Sequence, residues 1–159
     1  ADGKKLGEIA NVPSVTARGQ GGLGDIIVHP DFADNSTVFL SYVERDAEDD
    51  NLSGAAVERA TLNLTAEGGA LENREVIWRQ TPKMTGNGHY GHRLAIAQDG
   101  HLFIASGERQ KFTPATHSME TGQWRIRYGR SATEIRSELR LMESNVSGSW
   151  RWAQRAETS

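Results

Sequence analysis

The sequence predicts an all-β protein made of antiparallel, four-stranded β-propeller-type blades, about one and a half of them, and a divergent C-terminal tail. Residues 25–106 consist of short apolar runs separated by turn formers. A weak repeat spans this region, and each copy ends in Glu-Arg, at 44–45 and 108–109. Four predicted strands per repeat are typical of a propeller blade. A plain antiparallel meander is the alternative.

Four strands are expected in the first blade, at 25–28, 37–43, 55–64 and 75–80. The second of them, TVFLSYV, is rich in the β-branched and aromatic residues that favour strands. The segment HPDFADNS before it is rich in turn formers, and Ala66–Gly69 (AEGG) separates the third strand from the fourth.

The second blade begins with a predicted hairpin. Arg93–Ala97 and Leu102–Ser106 are apolar runs on either side of QDGH, and an Asp-Gly pair between such runs is a strong hairpin signal. Further along, Trp124–Tyr128 (WRIRY) is compatible with a third strand.

The tail differs in character, so we predict a partial propeller over residues 1–115 and a divergent tail over 116–159. Within the tail, residues 131–143 are predicted to form a helix. Ser131 and Glu134 match a capping box, and Ile135, Leu139 and Met142 are spaced along one helical face.

Composition limits the possible functions. The chain has 159 residues, enough for one ordinary domain, and a net charge of -3 without a dense basic stripe. We therefore predict neither a nucleic-acid partner nor a membrane partner. Cysteine is absent, which excludes disulfides and thiolate-bound zinc. The N-terminal ADGKKLGEIANVP has no apolar segment, so no signal peptide is predicted in this chain.

Two glycine-rich loops carry the candidate site. RGQGGLG (18–24) and GNGHYGH (86–92) each lead into the inner strand of a blade, so they are expected to be neighbours on one rim. His89 and Gln20 would then face a common pocket. An imidazole is a base near neutral pH without a large pKa shift, and a glutamine amide suits a vicinal diol. His89 and His92 lack a third ligand nearby in sequence, so no metal site is predicted.

The motifs GQGGLGDIIVHPDF and PKMTGNGHYGHRLAIAQDGHLFIASGERQKF resemble those of the soluble PQQ-dependent glucose/sorbosone (aldose sugar) dehydrogenases. The resemblance covers about residues 12–115. It implies a six-bladed propeller that oxidises an aldose at C1, with PQQ (pyrroloquinoline quinone) as hydride acceptor and calcium as a second cofactor. It also implies a periplasmic or secreted location. In this family the later blades supply the calcium ligands and the cations for PQQ, so the site in this chain is expected to be incomplete.

The same resemblance assigns roles to individual residues. His89 corresponds to the catalytic base, and Gln20 to a glutamine that contacts sugar and cofactor. An acidic residue often precedes the family's catalytic histidine, whereas this chain has Gly88 there and Asn87 one position earlier, so Asn87 is a candidate for substrate or cofactor binding. Arg93 is another, with a salt bridge to Asp25 or Glu108 as the alternative.

Two further functions remain open. One alternative is a non-catalytic β module that binds sugar or self-associates through its sheet edges as a homo-oligomer. The other is a lactonase-like hydrolase in which His89 activates water. Glu108 and Arg109 are expected to form a cross-strand ion pair.

Overall fold

The computed structural model describes residues 5–111 and the backbone of three later strands, and it contains two five-stranded sheets. The first sheet contains β1 (Glu8–Ala10), β2 (Leu23–Val28), β3 (Thr37–Arg45), β4 (Ser53–Thr65) and β5 (Gly68–Arg79). The second contains β6 (Gly91–Ile96), β7 (His101–Ser106), β8 (Trp124–Arg127), β9 (Arg140–Ser144) and β10 (Trp150–Trp152). In the described part of the chain the only helix is α1 (Phe32–Asn35), which has four residues.

In the first sheet β2, β3, β4 and β5 are antiparallel neighbours, the four-stranded blade that the sequence predicted. In the second sheet all five strands pair antiparallel, whereas the sequence predicted only about half a blade there. The order in the first is β1-β5-β4-β3-β2, and β1 adds to β5 in parallel at the outer edge. The order in the second is β10-β9-β8-β7-β6. The prediction missed β1 and the first half of β5. Only residues 66–67 turn between β4 and β5, because the glycines that follow them extend as the first residues of β5.

The main core lies between the two sheets. Because side chains alternate across a strand, one face of β3 and β4 meets the inner strands of the second sheet. This cluster of buried residues contains Phe39, Val43, Ala55, Val57, Trp78, Tyr90, Leu94, Leu102 and Ile104. The packing fixes the position of β6 relative to β2 and β3, and therefore the position of the loop that leads into β6.

A second cluster covers the opposite face of the first sheet. It contains Val38, Leu40, Ala60 and Leu71, and Phe32 of α1 packs against it. The helix thus closes this face at the point where the sequence predicted only a turn. Among the described residues no helix reaches the length and hydropathy needed to cross a bilayer.

The predicted helix over 131–143 is wrong at its C-terminal end. Arg140–Glu143 belong to β9, which pairs with β8 on one side and β10 on the other. Interstrand hydrogen bonding satisfies the backbone polar groups here, so sheet context overrides the local helical pattern. Residues 131–139 lie outside the described residues. The tail thus completes the second sheet, and the division at residue 115 stays a prediction.

Candidate functional site

The two glycine-rich loops meet, as the sequence predicted. The backbone N–H of Gln20 donates to the carbonyl of Asn87 at 2.8 Å. In return, the Gln20 side-chain carbonyl Oε1 accepts a hydrogen bond from the backbone N–H of His89, also at 2.8 Å. These reciprocal bonds join the loop before β2 to the loop before β6, so the two candidate residues Gln20 and His89 form one unit.

Gly19 permits this close approach. Its φ is +57°, and a Cβ on it would lie 2.4 Å from the carbonyl oxygen of Asn87. The short distance leaves no room for a Cβ, and glycine adopts the left-handed backbone at no steric cost. The glycine of the GQGG motif therefore has a steric role in bringing the loops together.

The side chain of His89 in this unit is exposed. Its φ is +49°, uncommon for a residue with a side chain, and its side chain is 48% exposed. Nδ1 is hydrogen-bonded to Oε1 of Glu108. Among the described residues no hydrogen bond to Nε2 is found.

The carboxylate that bonds the His89 imidazole comes from Glu108, since the residue before His89 is Gly88. The hydrogen bond with His89 is the main cause that lowers the pKa of Glu108, and nearby backbone N–H groups lower it further. Glu108 is therefore ionised at neutral pH and can only accept a hydrogen bond. The neutral imidazole must then carry its proton on Nδ1, which leaves Nε2 with a free lone pair, as in carboxylate–histidine pairs generally.

Arg109 is not paired with Glu108, and the ion pair expected from the sequence is wrong. Its side chain turns inward, lies over the ring of Tyr90, and binds backbone carbonyls of the His89 loop. The first repeat uses the same dipeptide differently: Glu44 pairs with Arg79 and Lys83, and Arg45 with Asp50.

Arg93 lies away from the imidazole. Its guanidinium is 80% exposed and lies 3.5 Å from a carboxylate oxygen of Asp25, the salt bridge that the sequence left as an alternative. The same carboxylate accepts hydrogen bonds from the backbone N–H groups of Ile26 and Leu94. Asp25 therefore connects β2 to β6, and Arg93 is an exposed addition to that connection.

His92 is placed differently from His89. Its ring packs near Tyr90 with 5.6 Å between ring centroids, and among the described residues neither ring nitrogen has a hydrogen-bond partner. Burial, and to a lesser extent the charge of Arg109, lowers the pKa of His92. The described residues contain no group of three or more His, Cys, Asp or Glu that could hold a metal ion.

A polar cavity of about 370 Å³ adjoins the unit. Asn87 lines it, whereas His89 and Gln20 do not. The lining residues are Thr16, Arg18, Asp50, Asn51, Ser53, Thr85, Gly86 and Asn87. Of the four residues predicted for the site, the structure brings Gln20, Asn87 and His89 together and sets Arg93 apart.

Sequence reasoning missed Glu108 as the partner of His89. The signal available was its position two residues after the apolar run of β7, which forms a hairpin with the strand after His89. A carboxylate at the open end of a hairpin lies close to the residues that enter that hairpin. The Glu-Arg repeat contains both residues, but adjacent opposite charges predict an ion pair between them and not a bond from Glu108 to an imidazole.

Comparison with known proteins agrees with the motifs. The family model for glucose/sorbosone dehydrogenases matches residues 1–127. Aldose sugar dehydrogenase YliI of Escherichia coli (strain K12) is 38% identical over 103 residues, which are 65% of this chain and 27% of that protein. The chain thus spans about a quarter of the length of this relative.

Solved structures show the same fold. A glucose dehydrogenase is 37% identical with a TM-score of 0.66, over 77% of this chain and 37% of its own. The PQQ-bound form of Aldose Sugar Dehydrogenase from Streptomyces coelicolor has a TM-score of 0.59 at 22% identity, over 85% of this chain and 39% of its own.

Proposed function

Since this chain belongs to the glucose/sorbosone dehydrogenase family, we propose that it carries the base of a sugar-oxidising site. The substrate is an aldose, oxidised at C1, and His89 takes the proton of the C1 hydroxyl. The remainder of the site lies in further blades of the kind found in the longer relatives. The observation that carries the proposal is the His89–Glu108 hydrogen bond, which leaves Nε2 of a half-exposed imidazole free.

Oxidation of the aldose removes one proton and one hydride from C1 and its hydroxyl. The C1 hydroxyl O–H bond breaks and its proton goes to Nε2 of His89, while the C1–H bond breaks and its hydrogen leaves with the electron pair as hydride. The sugar becomes a lactone. The imidazolium formed is stabilised by the Glu108 carboxylate on Nδ1, the arrangement used by general bases in other enzymes. No side chain accepts hydride, so a cofactor is required.

The described residues suit part of PQQ, an anionic quinone that supplies the electrophile for hydride when it is bound. Arg18 is a cation on the rim of the cavity beside Asn87. Among the described residues only the side-chain carbonyl oxygen of Gln20 forms a hydrogen bond, so its amide N–H₂ can donate to a carbonyl or carboxylate oxygen of a ligand. We propose that Gln20 and Asn87 bind sugar and cofactor, and that Arg18 helps to hold the anion.

Calcium, unlike PQQ, has no candidate ligand group among the described residues. The described residues offer no group of acidic side chains or histidines for it, and the family resemblance assigns its ligands to later blades. We therefore derive no step through calcium from this chain. A periplasmic or secreted location completes the proposal and rests on the family resemblance alone.

A chimaera tests the proposal. Residues 1–111 of this chain would replace the matching N-terminal part of E. coli aldose sugar dehydrogenase, which supplies the remaining blades. Dye reduction by glucose would be measured after addition of PQQ and calcium. We expect turnover by the chimaera and its loss in His89→Gln.

His101→Gln is the matched control, because His101 also pairs with a carboxylate, Asp99, but at the far end of the β6–β7 hairpin. It is expected to retain turnover. Equal rates in His89→Gln and the unsubstituted chimaera would overturn the assignment of His89 as the base.

A second candidate function, self-association through a sheet edge, is favoured by β2. This strand is one edge of the first sheet, opposite β1, and exposes Leu23, Ile26 and Val28 by 57%, 52% and 55%. Such an edge is a template for pairing. If the chain associates here, Ile26→Lys will convert an oligomer into a monomer in analytical ultracentrifugation. A lactonase-like activity is not proposed, since no observation among the described residues favours it.

A further inference from the structure

Arg109 has the largest fully buried side chain in the described part of the protein, and the residue is 0% exposed. Its three nitrogens donate to carbonyl oxygens. Nε donates to Gly88 at 3.0 Å, one Nη to Ser53 at 2.6 Å, and the other Nη to Gly86 at 2.6 Å. The guanidinium carbon lies 3.7 Å from the centroid of the Tyr90 ring.

No carboxylate among the described residues pairs with this cation, and burial lowers the pKa of Arg109. A buried charge without a counter-ion costs free energy that a neutral side chain would not. Carbonyl dipoles and the face of an aromatic ring offset this cost here. A packing role alone would not require a guanidinium, whereas holding several carbonyls at fixed angles does.

Two of the three carbonyls that accept from the Arg109 guanidinium, those of Gly86 and Gly88, belong to the loop that presents the imidazole, and the third, of Ser53, belongs to β4. Gly86 and Gly88 flank Asn87, and Gly88 immediately precedes His89. The backbone N–H of Arg109 also donates to the His89 carbonyl at 3.2 Å. Its chain neighbour, Glu108, bonds the imidazole. One side chain therefore fixes the His89 loop and the residue next to the His89 partner.

We propose that Arg109 is a positioning residue that sets the His89 imidazole and the Glu108 carboxylate in register for proton transfer. This inference rests on the proposed function of His89, but its structural content is independent of turnover. Lysine cannot replace Arg109, because a single ammonium cannot donate in three fixed directions from one plane.

Nitrogen-15 NMR of the imidazole in the full chain tests the proposal without any cofactor. In the unsubstituted protein at neutral pH, we expect His89 to show one tautomer, protonated on Nδ1. Arg109→Lys is expected to give a mixture of His89 tautomers and to raise the pKa of Glu108 toward its ordinary value. The carbon-13 shift of the Glu108 carboxyl measures that pKa. Arg74→Lys is the matched control. Arg74 forms a two-point ion pair with buried Glu58 in the first sheet. The Arg74→Lys variant should therefore have a lower melting temperature and an unchanged His89 tautomer.

Ser53→Ala is the milder second variant and applies if Arg109→Lys does not fold. It removes the hydroxyl that lies 3.3 Å from Nη of Arg109 but keeps the Ser53 carbonyl. A smaller tautomer shift in the same direction is expected. A folded Arg109→Lys, or failing that Ser53→Ala, with an unaltered tautomer and Glu108 titration overturns the positioning role. If Arg109→Lys in the full chain loses the single His89 tautomer while the unsubstituted chimaera shows no turnover, the positioning role is upheld and the proposed function is rejected.

Discussion

Nδ1 of His89 is hydrogen-bonded to the carboxylate of Glu108, although the two residues are 19 positions apart. His89 precedes β6 and Glu108 follows β7. The two strands form an antiparallel hairpin in which Gly91 is opposite Ser106. The hairpin closes at its Asp-Gly turn and brings its two open ends together. The contact is thus a consequence of strand register, and β6 and β7 hold it in place.

Glu108→Gln should reduce turnover. The amide cannot stabilise an imidazolium by charge, and it can present N–H₂ to Nδ1, which favours the wrong tautomer. We expect kcat in the chimaera to fall by up to about 10²–10⁴-fold, which is the contribution of the general base that Glu108 orients, with a smaller change in KM. Steady-state dye reduction measures both constants.

Glu72→Gln is the control for that experiment. Glu72 lies on β5 and accepts a hydrogen bond from Asn63, remote from the loops. It should leave kcat unchanged. If Glu108→Gln and Glu72→Gln have the same kcat, Glu108 has no part in orienting the base.

His89→Gln should raise the pKa of Glu108. The imidazole is the main cause of the lowered pKa, so its removal moves the carboxyl toward its ordinary value. A group with a lowered pKa in the folded state stabilises the fold above its unfolded pKa, and that contribution disappears as pH falls through the folded value. Glu108 is 37% exposed, so the effect on stability is small. Carbon-13 titration of the carboxyl in both proteins measures the shift, and identical titration curves would contradict it.

The sequence predicted the meeting of the two loops but not the geometry inside the unit. Equivalent loops lead into equivalent strands, so a repeat is enough to place Gln20 near His89. The direction of a side chain depends instead on the local backbone. His89 and Arg109 both have positive φ, +49° and +59°. Such values are uncommon outside glycine, and the enrichment of Asn, Asp and His among them does not mark single positions in a sequence. For this reason the sequence predicts the wrong partners for Glu108 and Arg109.

Gly19→Ala should separate the loops. The new Cβ would collide with the Asn87 carbonyl and force a positive φ on alanine. We expect the free energy of unfolding to fall by about 1–3 kcal/mol, together with loss of amide-exchange protection at His89, whose N–H is bonded to Gln20. Gly22→Ala is the control, because Gly22 also has a positive φ but its Cβ would meet nothing closer than 4.0 Å. It should destabilise the fold while His89 remains protected. Equal protection of His89 in the two variants would contradict the steric role of Gly19.

Asp25→Ala and Arg93→Ala should differ in stability although the two residues form one salt bridge. Arg93→Ala removes an exposed partner, and we expect a change of about 0–1 kcal/mol. Asp25→Ala also leaves the backbone N–H of Leu94 without its acceptor between the sheets, so we expect a loss of about 1–3 kcal/mol. Urea denaturation gives both values. Arg93→Ala as costly as Asp25→Ala would show that the guanidinium, and not the backbone connection, joins β2 to β6.

Tyr42 should make the fold sensitive to alkali. Burial is the main cause that raises the pKa of its hydroxyl to about 12, and the carboxylate of Glu58, which accepts its hydrogen bond, adds to the shift. The unfolded chain releases this proton near the ordinary value of about 10. The stabilising contribution is therefore complete below pH 10 and disappears as pH rises toward 12. The corresponding change in the free energy of unfolding is on the order of 2 kcal/mol.

Tyr42→Phe isolates this effect, because it removes the titrating hydroxyl while Arg74 still binds Glu58 at two points. Melting temperatures between pH 9 and pH 11.5 should fall more steeply for the unsubstituted protein than for Tyr42→Phe. The ultraviolet tyrosinate signal should show one tyrosine that ionises late and is absent from the variant. Parallel curves for the two proteins would mean that the Tyr42 hydroxyl ionises as readily in the folded chain as in the unfolded one, and that the alkaline limit is set by other groups.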